Sequence, residues 1–173
     1  MDRRTLSALS DGRPTRKFAT PGWWPDEADR LHLKLWLERA EADNPPPVLW
    51  GPRAIVLDGN LIGHTGFHGP PTTIEEALAD PSYTGPVEQS TGGVVEIGYT
   101  VFRQHQNNGY GGEAAAALVE WAHATEEVST VLATVSPDNR ASRSVLDHVG
   151  GFKIIGNCQG DNGHPHEVFR RDA

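Results

Sequence analysis

"YTVFRQHQNNGYGGEAAAALVEWA", residues 99–122, passes from a β-like run through polar residues into a glycine cluster, then into an alanine-rich helix. Gly109, Gly111 and Gly112 fall where that helix begins. A helix N-terminus presents backbone N–H groups without intrahelical partners and roughly half a positive charge from the macrodipole. Glycines there remove the side chains that would keep a phosphate away from those groups. The stretch predicts a phosphate cradle that works without lysine.

Around it the pattern reads as strand, helix, strand. "GVVEIGYTVF" (93–102) alternates, with Val95, Ile97, Tyr99 and Val101 on one face and Glu96, Gly98 and Thr100 on the other. Glycine in mid-strand marks close approach by a ligand or another backbone. Glu96 therefore stands beside an empty position and is the candidate general base, acting directly or through water. The polar side of an ordinary alternating strand is the equal alternative. In the helix 109–124, Ala114, Ala117, Leu118, Trp121 and Ala122 fit an amphipathic template. "STVLATVS" (129–136) is the second strand, and "PDNRASRSVLDHVGG" (137–151) is a helix closed by glycine. "FKIIGNC" and "HEVFRR" read as short closing strands.

Upstream, residues 53–69 read as a hairpin turning at Asp58-Gly59-Asn60. A helix over 25–43 starts with proline and acids and carries Leu31, Leu35, Trp36 and Leu37. The proline run at 44–47 ends it. Residues 1–24 read as an irregular segment ahead of one domain over 25–173. The connection 69–92 holds Glu75, Glu76, Asp80 and Glu88 with no Lys or Arg, half of the formal charge of −8. Thr72 and Glu75 have capping-box spacing for a short helix there. A connection that long is usually functional or mobile.

Composition narrows the class. A chain of 173 residues with one cysteine, Cys158, has no disulfide framework or multi-cysteine metal site and fits a reducing compartment. "MDRRTLSALSDGRP" lacks the apolar core of a secretory signal, and no run approaches the ~18 apolar residues of a spanning helix. A soluble cytoplasmic protein, without a membrane partner, is expected. The absence of a sustained basic patch argues against nucleic acid, and an acidic surface attracts cations such as protonated amines.

Three phosphate ligands compete for the glycine cluster. The P-loop needs a Lys after its second glycine, and none stands near. Gly109, Gly111 and Ala114 satisfy the dinucleotide fingerprint, but that motif follows its strand directly, and here Arg103 to Asn108 intervene. The third ligand is the diphosphate of coenzyme A. "VFRQHQNNGYGGEAAAALVEWA" resembles the core motif of the GNAT N-acetyltransferases, Q/R-x-x-G-x-G/A at a helix start, here Gln106 to Gly111. "SPDNRASRSVLDHVGGF" resembles that family's second signature through Asn139, Ser142, Val145-Leu146 and Gly151-Phe152.

The resemblance spans about residues 50 to 170 and implies an α/β (α+β) fold: a mixed, mostly antiparallel, twisted sheet flanked by helices. It implies acetyl-CoA as cosubstrate, entering where strands 94–102 and 129–136 diverge. Cofactor contacts would come from Tyr99, Val101, Gln106, Asn107, Asn108, Gly109, Tyr110, Gly111, Gly112 and Asn139. Asn139 is equally a simple helix cap. Two features depart from the pattern: Asn108 stands where the family often has a basic residue, and "HVGGF" carries an extra glycine.

The implied reaction is attack of an amine on the thioester. It needs a neutral amine, a polarised carbonyl and a proton for the thiolate. The family often uses an acid on the strand of Glu96 as base. Ser142 shares a helix face with Val145, Leu146 and Val149 and is the candidate acid; its alternative is back-bonding to a helical carbonyl. Tyr99 and Tyr110 are alternative acids. His64 and His68 share a strand face and suit the acceptor site, and Trp23-Trp24 reads as core or as a wall of the acceptor pocket. His164, His166 and Glu167 lack the spacing of a metal site, and Cys158 has no neighbour in sequence that would activate a thiol. Neutralising a lysine at pH 7 costs roughly 4 kcal/mol and an α-amine about 1, which favours an α-amine. The pattern most resembles the branch holding ribosomal-protein N-terminal acetyltransferases. A peptide or small-molecule amine is the expected acceptor, and a homodimer is left open. The rival reading is a non-catalytic acyl-CoA-binding or regulatory module.

Overall fold

The computed structural model describes residues 1, 3–11, 13–41, 48–160 and 163–173. The proline run 44–47, and the side chains of Leu31 and Leu35, lie outside the described residues. The strands are β1 (Arg53–Leu57), β2 (Asn60–Phe67), β3 (Gly93–Val101), β4 (Val128–Val135), β5 (Lys153–Gln159) and β6 (Pro165–Asp172), and the helices α1 (Arg3–Ser10), α2 (Glu27–Glu41), α3 (Ile74–Ala77), α4 (Tyr110–His123) and α5 (Arg140–Val149). The strands form one mixed sheet in the order β1-β2-β3-β4-β6-β5. Only β3 and β4 pair in parallel, because α4 carries the chain back between them. This is the mixed, mostly antiparallel sheet the sequence led to.

The β1–β2 turn places Asp58 at φ 48° and Gly59 at φ 77°, the left-handed pair whose twist matches the flanking strands. On one face of the sheet, Val95 and Ile97 of β3 meet Leu118, Val119 and Ala122 of α4 and Leu146 of α5. The inward side of α4 is Gly112, Ala115, Leu118, Val119 and Ala122. It is turned by one residue from the predicted stripe, and Ala117 is exposed. On the opposite face Val94, Leu132 and Val168 pack under Ile74 and Leu78. So β3 is buried on both faces at its start; beyond α3, Glu96 and Gly98 are half-buried and Thr100 is exposed.

Two expectations are corrected. The segment 1–24 contains α1, whose Leu6 and Leu9 are buried with Trp24, Leu33 and Leu61. The i, i+3 spacing of those leucines was the signal. The connection 69–92 is tied down: Tyr83 donates to the Ile155 carbonyl (3.3 Å), and the Arg170 guanidinium donates to the carbonyls of Glu88 (2.7 Å) and Gln89 (3.1 Å). Its capping box uses Thr73 and Glu76, one residue beyond the predicted pair. An Oγ hydrogen bond at an N-cap contributes ~1 kcal/mol. Thr73→Ala should lower the urea-unfolding free energy by about that amount.

Candidate active site

Pairing of β3 with β4 runs from Gly93↔Val128 to Glu96↔Leu132 and stops. On its other side β3 stays paired with β2: His68 N–H donates to the Glu96 carbonyl (2.9 Å) and Phe102 N–H to the Ile62 carbonyl (2.8 Å). Antiparallel alternation therefore turns the main-chain groups of Tyr99 and Val101 toward the gap. The strands part where the sequence placed cofactor entry.

A groove of about 440 Å³ occupies the α4–α5 side of this gap. Tyr99, Val101, Gln106, Asn107, Gly109, Tyr110, Gly111, Gly112, Asn139 and Ser142 all line it. Asn108 does not. Its amide turns back to the carbonyls of Gln106 (2.9 Å) and His105 (3.2 Å), and the Gln106 amide donates to Val101 O (2.9 Å). These two side chains hold the loop's shape. His105, Ser144 and His148 line the groove as well and were not foreseen.

Gly109 is the N-cap of α4 at φ 83°, and the first helical bond runs from Glu113 N–H to Gly109 O (3.0 Å). The N–H groups of Tyr110, Gly111 and Gly112 precede that bond, and no side chain caps them. The glycines divide the work more finely than predicted. A Cβ on Gly109 would enter open space, one on Gly111 would meet Val145 at 3.3 Å, and one on Gly112 would meet His148 at 2.7 Å. Gly109 borders open space, while the other two admit α5 against the start of α4.

Asn139 is the N-cap of α5, its Oδ1 accepting from Ser142 N–H (3.0 Å). The Tyr99 hydroxyl donates to the Ser142 carbonyl (3.0 Å), and burial pushes that phenol up to about 12, ill suited to giving up a proton. Among the described residues the Ser142 hydroxyl makes no hydrogen bond, so the back-bonded alternative does not hold.

The opposite face of β3 carries two cavities. The first, about 260 Å³, shares Tyr99 and Thr100 with the groove and is lined by Trp24, Leu33, Trp36 and Phe67, among others. His64 Nε2 lies 3.3 Å from Asp29 Oδ1 in its wall. Burial pushes the Asp29 carboxyl up, but His64 and Asp26 outweigh it and hold the group below its ordinary value. Trp24 is 5% exposed, and its indole N–H has no partner among the described residues. Trp23 instead stands half out of the surface, edge-on to Phe102 at 4.7 Å.

The second cavity, about 320 Å³, is lined by Glu96, Asp80, Tyr83, Thr134, Cys158 and His166. His68 lines both cavities. Its Nδ1 is 3.2 Å from Glu96 Oε2. Burial raises the Glu96 carboxyl, but the hydrogen bond and charge of His68 and a hydrogen bond from Thr134 leave it lowered overall. Burial, then the Asp80 and Glu96 charges, push the Cys158 thiol up, away from thiolate chemistry. Glu167 is engaged by Arg143, and no group of three potential metal ligands occurs among the described residues. No helix among them is long and apolar enough to cross a membrane.

Residues 2–151 match the model of the acetyltransferase (GNAT) domain. A curated relative, the uncharacterised N-acetyltransferase YjdG of Bacillus subtilis, is 32% identical over 90 residues, 52% of this chain and 43% of that protein. The chain spans less than half the length of the curated relatives it matches. Among solved structures, Mycobacterium smegmatis RimJ in complex with CoA-disulfide aligns with a TM-score of 0.63 at 22% identity, covering 100% of this chain and 79% of that one. The microcin C7 self-immunity acetyltransferase MccE, in complex with acetyl-CoA and AMP, aligns with a TM-score of 0.60 at 12% identity, covering 99% and 84%.

Proposed function

We propose, from the premise that this chain belongs to the acetyltransferase (GNAT) family, that it transfers the acetyl group of acetyl-CoA to a primary amine by direct attack on the thioester. One observation carries this: the cradle groove and the apolar cavity meet across β3 at Tyr99 and Thr100. The diphosphate rests on the N–H groups of Tyr110, Gly111 and Gly112. The pantetheine amides run along the open edge of β3 and pair with the main chain of Tyr99 and Val101, as an added strand would. The thioester then reaches the junction, with an amine on one side and Ser142 on the other. Glu96 drives deprotonation of the amine from the acceptor face, and Ser142 gives the departing sulfur its proton. One cysteine and a reaction drawing on acetyl-CoA fit the cytoplasm.

The acceptor in this reading is an α-amine beside a carbonyl and an apolar side chain, as at a peptide N-terminus. Leu33, Trp36 and Phe67 suit the side chain. An α-amine is also neutralised more easily than a lysine. Acetyl transfer to phenylalanine amide should exceed transfer to spermidine by about 10-fold or more in kcat/KM, measured by thiol release. Preference for the polyamine would refute this choice of acceptor. CoA binding with no transfer across a broad panel would favour the non-catalytic acyl-CoA-binding module.

A further inference from the structure

The apolar cavity shares Tyr99 and Thr100 with the cofactor groove, so an amine attacking a thioester held there approaches through it. Glu96 lines the second cavity and not this one, whereas His64 and Asp29 line this one. In the register of β2 and β3, His64 stands directly opposite Thr100. Residues opposed in this way present their side chains on one face, with Cβ atoms about 4.5–5.5 Å apart. The imidazole therefore lies beside a residue at which cavity and groove meet. We infer that His64 is the catalytic base, its Nδ1 taking the proton from the acceptor ammonium, and that Asp29 is a positioning residue acting through Nε2. This rests on the acetyltransferase reading. Glu96, in the neighbouring cavity, contributes its charge to the step, and His64 takes the proton itself.

The chain holds the pair from two elements. On the sheet, a Cβ on Gly63 would overlap the Thr100 carbonyl oxygen, so a glycine just before His64 lets β2 and β3 close at this level. On the helix, Asp29 stands in the first turn of α2. Its N–H donates to Asp26 Oδ1 (2.9 Å), and Asp26 N–H donates back to Asp29 Oδ2 (3.3 Å). This reciprocal cap commits one carboxylate oxygen and leaves Oδ1, which lies 3.3 Å from His64 Nε2. Burial raises the Asp29 carboxyl, but His64 and Asp26 outweigh it and hold the group below its ordinary value. An ionised carboxylate at Nε2 draws the ring proton to that nitrogen and leaves the lone pair on Nδ1, as a buried Asp does for a catalytic imidazole. Among the described residues His64 Nδ1 makes no hydrogen bond. His68 and Tyr99 are the other titratable side chains lining this cavity among the described residues. His68 Nδ1 contacts Glu96 (3.2 Å), and the Tyr99 hydroxyl donates to the Ser142 carbonyl (3.0 Å).

The protons balance. R–NH3⁺ gives one proton to His64 Nδ1, and the freed lone pair forms the C–N bond at the thioester carbon. As the C–S bond breaks, the nitrogen loses its second proton to water, and the thiolate sulfur gains one through Ser142, which water restores. His64 releases its proton to solvent after the amide leaves.

The test combines kinetics on variants with spectroscopy on the unaltered protein. His64→Gln keeps a donor for Asp29 and has no basic nitrogen. It should lower kcat by about 100-fold or more and leave the KM for acetyl-CoA unchanged. Asp29→Asn should lower kcat by about 10-fold or more and mix the two tautomers of His64. The double variant should be no slower than His64→Gln alone. In the wild-type protein, long-range 1H–15N spectra should show His64 protonated on Nε2 and bare on Nδ1, a readout independent of whether a variant folds. Full turnover in His64→Gln, or the opposite tautomer in the wild type, would overturn the role of His64 while leaving the acetyltransferase reading standing. A wild-type protein that binds CoA and transfers acetyl to no amine would overturn both.

Discussion

Gly109→Val should weaken CoA binding by about 100-fold or more in isothermal titration, with little change in affinity for pantetheine. The residue sits at φ 83°, where a β-branched side chain is a steric outlier. Strain there costs of order 1–3 kcal/mol. The strain falls on a loop already pinned by Gln106 and Asn108, so the fold survives. The larger effect is on the ligand. A Cβ at 109 meets no protein atom within 4 Å, and Gly109 lines the groove, so the added side chain is expected to compete with the diphosphate for that space. Two charge-assisted hydrogen bonds lost at about 1.5–3 kcal/mol each make at least the 100-fold expected. Pantetheine lacks the diphosphate and isolates this term. Gly109→Asn, tolerated in the left-handed region, should lose less. Unchanged CoA affinity in the valine variant would remove the cradle assignment.

The glycine start of α4 after β3 was legible because its parts are adjacent in the chain. Strand, loop, glycine and helix start lie within residues 99–122, and local rules of alternation and capping cover them. The same holds for the β1–β2 turn at Asp58 and Gly59. What escaped the sequence depends on register or on side-chain direction. His68 and Glu96 meet only because β2 and β3 pair as Phe67↔Ile97 and Gly66↔Gly98; a slip of one residue would put them on opposite faces. Asn108 sits within the motif, yet its amide has two nearby carbonyls to satisfy and turns away from the groove. The lining of the apolar cavity draws on Leu33 and Trp36 of α2 beside Trp24, which reads from the sequence as core or a pocket wall; no local pattern says which strand a helix will cover. A helix stripe is misread by one residue when alanines fill both the buried and exposed sides, as Ala115 and Ala117 do in α4.

Ser142→Ala should lower kcat by about 100-fold while leaving unfolding free energy within ~0.5 kcal/mol of wild type and CoA affinity unchanged. The argument lies in which atoms of Ser142 are committed. Its N–H is held by Asn139 Oδ1 and its carbonyl receives the Tyr99 hydroxyl. Both are main-chain atoms that alanine retains, so the cap of α5 and its tether to β3 stay intact. The hydroxyl has no partner among the described residues, and removing it leaves no donor or acceptor orphaned. A loss confined to kcat therefore reports on chemistry at the sulfur. The loss should shrink with an acyl donor whose thiol is more acidic than that of CoA, because its thiolate departs with less need of a proton. Tyr99→Phe serves as the contrast. It frees the Ser142 carbonyl and should raise the KM for acetyl-CoA along with lowering kcat, since the tether between β3 and α5 borders the groove. If Ser142→Ala keeps full turnover and Tyr110→Phe loses it, the proton comes from Tyr110, which lines the same groove.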